Sequence, residues 1–197
     1  MSDLIYPAQI LMHDHRTSSD SDNAQNISIS EARFKSAIII KAWPDSMVKA
    51  AEILCSYLGY DNPPKIGSFS QIEDGYCVCL TAGHYIIFSN NEELYKETSA
   101  LYDINIAAVT DVSHSRDGLR LEGRYSTALL NKGLAICLDD NDFPIGSAAM
   151  GTIHSIGVLL LKLDNDHYLT FTYTSFCHSF FEWLIDCAKE YGYVLSE

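Results

Sequence analysis

Several places in this 197-residue sequence put reactive side chains close together. His13 and His15 flank Asp14, offering a metal two imidazoles and a carboxylate, but no fourth ligand stands beside them. Cys77 and Cys79 are two apart, so on a strand both thiols face the same way. They would bind zinc only with further donors nearby, and otherwise pack as small hydrophobes. Ser113-His114 sets a hydroxyl beside a base, yet neighbours in extended chain point oppositely, whereas a nucleophile needs its base within hydrogen-bond reach. Arg116, Arg120 and Arg124 recur every four residues, but Gly118 and Gly123 argue against one helix carrying all three, which leaves salt bridges as their use. The glycine patterns of the common nucleotide cradles, Gly-x-Gly-x-x-Gly and Gly-x-x-x-x-Gly-Lys-Ser/Thr, are missing. The residues therefore predict a chain with no catalytic, cofactor-binding or metal-binding residues of its own.

Composition narrows the partners. Thirteen basic residues face twenty-six acidic ones, a formal charge of −13. A field of that sign repels nucleic-acid phosphates and anionic membrane surfaces, and suits a partner with a basic patch. With 47% hydrophobic residues the chain can bury a substantial core, and its twelve Tyr and eight Phe serve that core or cover a partner. The best apolar runs, Ala37–Ile40 and Gly157–Leu161, are of strand length and too short to span a membrane. The N-terminus lacks the pattern of a signal peptide, so a cytoplasmic location is expected. Six Cys are too few for a disulfide-built scaffold.

These side chains need elements to hold them. Residues 1–33 read as a flexible arm: Leu4, Ile5, Tyr6, Ile10 and Leu11 form an apolar patch ahead of the polar run His13–Asn26. From Ser36 the pattern predicts a strand to Trp43 and a helix capped by Asp45 or Ser46 through Leu58, with Val48, Ile53, Leu54 and Leu58 on one face. A loop follows over Asn62–Ser70, then strands Tyr76–Leu80 and Tyr85–Phe88, a helix from Asn90 or Asn91 to Tyr102, and a strand over Asn105–Val109. This β-α-β-β-α-β order is that of a ferredoxin-like unit, assigned to residues 34–110. A second α+β unit, residues 111–197, carries a strand over Gly118–Leu121, a short helix over Tyr125–Leu130, an acidic loop over Ala135–Gly146, and strands Ala149–His154, Gly157–Leu163 and His167–Tyr173. A long helix closes it, Phe176–Tyr191, capped by Ser175 and striped by Phe176, Phe180, Trp183, Leu184, Cys187, Ala188 and Tyr191.

The second half also carries a resemblance. Thr110–Gly123, which begins Thr110-Asp111-Val112-Ser113, resembles the D-V-S…G segment of the sarcosine oxidase γ-subunit family, an element shared with the folate-binding aminomethyltransferases. Ala128–Gly133 is similar to that family's A-x-x-L-x-K-G helix end, Phe143-Pro144-Ile145-Gly146 to the end of its F-P-x-G loop, and Ser175-Phe176 with Trp183-Leu184 to its terminal helix. The likeness covers Val109 to Gly192. Asp140-Asn141-Asp142 stands where the family often has Pro, and Thr81–Ile86 replaces its G-P-x-x-W/F-L element. The resemblance implies an α+β, aminomethyltransferase-like fold of two ferredoxin-like halves with antiparallel-rich sheets. It further implies a non-catalytic γ subunit assembled with larger flavin-bearing α/β-type chains and a small δ-type chain, in an enzyme that oxidatively demethylates sarcosine. FAD, FMN, NAD and tetrahydrofolate would belong to the partner subunits. An aminomethyltransferase-like reading puts Asp111 near a pterin site, while its position also suits bracing the turn at Ser113. The alternatives are a folate-binding enzyme, against which the chain's length counts, the small subunit of a related N-methyl-amino-acid dehydrogenase, and a stand-alone ligand-binding module.

Overall fold

The computed structural model describes residues 26–196. Strand β1 (Ile27–Ala32) joins residues 115–196 in one compact unit, and Phe34–His114 forms the other.

In the 34–114 unit, β2 (Ser36–Ala42) leads through a 3-10 turn at Pro44–Ser46 into α1 (Met47–Leu58); β3 (Ser68–Ile72), β4 (Gly75–Thr81), β5 (His84–Ser89), α2 (Leu94–Leu101) and β6 (Ala107–Asp111) follow. The sheet order is β3-β4-β5-β2-β6, with every neighbour antiparallel. With the edge strand β3 set aside, the order is second, third, first, fourth, the split β-α-β pattern expected from the sequence. Ile38 and Ile40 of β2, Cys77 and Cys79 of β4 and Ile87 of β5 face Ala50, Leu54 and Leu94 of the helices, forming one core.

Local chemistry explains where the elements depart from the sequence reading. The stretch predicted as loop through Ser70 contains β3, because Ser68–Ile72 pairs with β4 in register from Ser68↔Cys79 to Ile72↔Gly75. Ser46 does not cap α1: its hydroxyl donates to the carbonyls of Trp43 and Ile106. The face of α1 is also rotated from the expectation. Ala50, Leu54 and Cys55 are buried, while Val48 is 74% exposed. Gly59 ends the helix, with φ +72° and its N–H returned to the Cys55 carbonyl, a geometry that disfavours any residue with a Cβ.

In the other unit, β7 (Arg116–Glu122), α3 (Ser126–Asn131), β8 (Ala148–Ile153), β9 (Ile156–Asp164), β10 (His167–Tyr173), α4 (Cys177–Ala188) and β11 (Tyr193–Ser196) follow β1. The sheet runs β11-β1-β7-β10-β9-β8, antiparallel except for the parallel β1/β11 pair. The end of the expected arm is thus a corrected reading. Ile27 and Ile29 alternate with serines and are fully buried, and β1 is inserted between β7 and β11. Residues 1–25, including His13 and His15, lie outside the described residues. The final helix begins at Cys177 without a side-chain cap from Ser175, and Phe176 is 46% exposed. Phe180, Leu184 and Ala188 hold the expected stripe against Leu119, Leu121, Leu160 and Tyr168. The mixed α+β class with two antiparallel-rich sheets is borne out. Among the described residues no helix is long and apolar enough to cross a membrane.

Candidate functional site

Among the described residues, several singled out in the sequence have structural employment. Asp111 closes β6 and accepts two hydrogen bonds through Oδ1, from the Ser113 N–H (3.0 Å) and the Ser113 hydroxyl (2.6 Å). Those bonds hold its carboxyl below the usual range. Ser113 Oγ also accepts the Ala37 N–H, so the segment is stitched to the start of β2. Asp111 therefore braces this turn. Cys77 and Cys79 share the core face of β4 and are 0% and 2% exposed. Burial first, then neighbouring thiols, pushes the Cys77 thiol far up, so it remains a protonated hydrophobe. Arg116 and Arg120 lie on β7, and Arg124 lies beyond its end. Arg116 stacks over the Tyr173 ring at 4.5 Å, Arg124 over Tyr125 at 4.7 Å, and Arg120 comes 3.7 Å from Glu122. Among the described residues no group of three His, Cys, Asp or Glu is arranged to hold a metal.

The sequence reading missed a polar cluster on the inner face of the sheet in the second unit. Lys162 on β9 pairs directly with Tyr168 on β10, so both side chains point into the core, and they are 1% and 0% exposed. Lys162 Nζ donates to Asp140 Oδ1 (2.5 Å) and to the Phe143 carbonyl (3.0 Å). Its main chain binds the same loop: Gly146 N–H donates to the Lys162 carbonyl, and Lys162 N–H to that of Ser147. One lysine thus anchors the second half of the acidic loop through both its side chain and its main chain. Burial would lower its pKa, but the Asp140 bond and the nearby acidic groups outweigh burial and raise it. Beside it, Thr127 Oγ1 donates to Asp166 Oδ1 (2.7 Å) and therefore accepts the Tyr168 hydroxyl proton (2.7 Å). Burial raises the Tyr168 phenol. A protonated lysine held by two acceptors and a protonated phenol cannot serve as a base. The signal available in sequence was the single lysine in the apolar run Val158–Leu163.

Asp117 and Thr172 form a second buried polar pair, directly opposed on β7 and β10 and 5% and 1% exposed. The side chains of Cys177 and Thr174 hydrogen-bond the Asp117 carboxyl at the start of α4, but burial dominates and raises its pKa. In the 34–114 unit, a cleft of about 610 Å³ opens between α1 and α2, lined by Glu52, Ile53, Ser56, Tyr57 and Leu101.

No family model matches the chain. The sarcosine oxidase subunit gamma of Corynebacterium sp. (strain U-96) is 24% identical over 168 residues, covering 84% of this chain and 81% of that one. A chain of the heterotetrameric sarcosine oxidase from Corynebacterium sp. U-96, solved with pyrrole 2-carboxylate, shares the fold at TM-score 0.83 with 20% identity over 98% of both chains. The glycine cleavage system aminomethyltransferase T from Bartonella henselae superposes at TM-score 0.65 with 15% identity, over 98% of this chain but 52% of that enzyme. The sequence likeness agrees with the sarcosine oxidase γ-subunit family to which the motifs pointed, and the two solved structures share the fold.

Proposed function

We infer that this chain, a relative of the sarcosine oxidase γ subunits along most of its length, serves as a subunit of a sarcosine-oxidase-type complex and contributes to its assembly. The observation carrying this is the end-to-end match: sequence likeness over 84% of the chain to a γ subunit, together with a common fold over 98% of a chain from a heterotetrameric sarcosine oxidase. The polar groups of the chain agree with that role. Lys162, Tyr168, Asp111 and Asp117 are engaged in bracing loops, strands and a helix start. In this reading FAD, FMN, NAD and tetrahydrofolate sit on larger flavin-bearing partners, a small δ-type chain completes the assembly, and the location is cytoplasmic.

Co-expression tests it. The chain carries an affinity tag and is produced with the flavoprotein chains of its own genome that resemble sarcosine oxidase large subunits. Flavin absorbance should elute with the 22.0 kDa chain in one peak. A tagged chain that elutes alone would refute the subunit reading. The fold shared with an aminomethyltransferase motivates a second measurement, tetrahydrofolate titration of the isolated chain by calorimetry. Saturable tight binding would favour a folate-binding role instead.

A further inference from the structure

The two helices of the 34–114 unit run antiparallel. The Tyr57 hydroxyl on α1 donates to Glu97 Oε2 on α2 at 2.6 Å, while the Tyr102 hydroxyl, just past α2, reaches the Ala50 carbonyl at 2.9 Å. Between these contacts lies the cleft floored by Ile53 and Leu101. Apolar surface continues past its end. Leu101 is 45% exposed, Ile104 71% and Trp43 46%. The Trp43 indole N–H donates to the Ile104 carbonyl at 2.7 Å, which fixes that ring beside Ile104. Such a run of large apolar groups on one side of a small unit marks an interaction surface rather than ordinary exposure. Its rim is acidic: Asp45, Glu52, Glu97 and Asp103 are exposed, with Lys49 set among them.

We propose that this groove seats a ridge of apolar side chains flanked by Lys or Arg, presented by a large partner subunit. The proposal rests on the subunit reading given above. Charge selects this occupant. A second copy of the chain would bring a surface of formal charge −13 against another of −13, and like charges across an interface suppress association. A basic-flanked ridge gains attraction from the same rim, and the apolar floor supplies the buried centre on which interface affinity depends.

The test uses the full chain co-expressed with the large subunits. Leu101→Asp and Ile104→Asp each place a carboxylate on this apolar surface at a side chain already exposed, so the isolated variants should melt close to wild type. Each should weaken the complex at least about tenfold, the scale of losing one buried aliphatic group from an interface. Glu52→Lys should weaken it too, and by more at low salt than at high salt. Ile145→Asp in the other unit, at a side chain 53% exposed, should leave the complex unchanged. Groove variants that bind as well as wild type would overturn the proposal while leaving the subunit reading intact; a wild-type chain that captures no large subunit would remove that reading itself. Equal loss from Ile145→Asp would also overturn the proposal, as would light scattering that shows an isolated dimer broken by Leu101→Asp.

Discussion

Replacing Lys162 separates what its stem and its charge contribute to the second unit. The side chain is 2% exposed, whereas its partner Asp140 is 76% exposed. Lys162→Ala deletes the γ, δ and ε methylenes at about 0.8 kcal/mol each, roughly 2 kcal/mol in transfer free energy. It also strips the Phe143 carbonyl of its donor, a further ~1–3 kcal/mol. Relief from holding a buried ammonium offsets part of this, leaving an expected loss of about 3 kcal/mol. Lys162→Met keeps the stem, and Asp140 turns to water, so the expected loss is about 1 kcal/mol or less. Urea unfolding in a Trp43→Phe background reports on this unit, because Trp183 packs against its core. Amide exchange at Gly146 and Phe143, whose N–H groups bond the Lys162 and Asp139 carbonyls, should accelerate in the alanine variant. The lysine pKa is raised on folding, so its charge stabilises fully below the ordinary value of 10.5 and that contribution fades as pH climbs through the folded value. The wild-type advantage over Lys162→Met should therefore be flat through neutral pH and shrink in strong alkali. Equal destabilisation by alanine and methionine would refute the division between stem and charge.

Gly118→Ala should cost about 1–3 kcal/mol, since the new Cβ would lie 2.6 Å from the Ala32 carbonyl oxygen and 2.9 Å from the Phe171 ring; thermal melting, with proteolysis ahead of Arg33 as a second readout, checks it. Asp117 has a raised pKa, so the folded state binds its proton more readily, and the stability it confers is complete below the ordinary value of 3.8 and is lost as pH rises through the folded value. Asp117→Asn should accordingly be neutral or stabilising at pH 7 and flatten the melting temperature across the acid range; a clear loss at pH 7 would count against a burial-dominated shift. Leu54→Ala, at 1% exposure, should cost ~2–5 kcal/mol, while Val48→Ala should cost under about 0.5 kcal/mol; similar melting temperatures would return α1 to the face expected from sequence.

The ferredoxin-like order of the 34–114 unit was legible because strand and helix periods alternate there between clear stops, Pro44 and Gly59 among them. Val48 was misplaced for a local reason. Residues 48, 53, 54 and 58 lie on two adjoining faces of α1, and tertiary packing chose the one centred on Ala50 and Leu54. The β1 strand was hidden by distance. Ile27-Ser28-Ile29-Ser30 alternates as a half-buried strand should, but it follows a polar run, and its partners Leu121 and Tyr193 stand far along the chain. Local pattern cannot report a pairing that loop closure makes non-local.

The polar cluster shows the same limit from the side of chemistry. Alternation along β9 puts Val158, Leu160 and Lys162 on one face, so the sequence already placed a lysine on the core side of that strand once its register was known. What it withheld was the compensation. Asp140 and the Phe143 carbonyl come from a loop some twenty residues earlier. The Tyr168 hydroxyl is answered by Thr127 and Asp166, from a helix and a hairpin turn. A buried charge is tolerable only when such partners converge, and their convergence is a property of the finished fold. The result also separates two uses of titratable groups. In the second unit the buried charge is spent on fixing a loop, whereas in the 34–114 unit the acids stay exposed around an apolar groove. Lys162 is buried beneath its loop and out of a partner's reach, so recognition should fall to the groove and its exposed acidic rim.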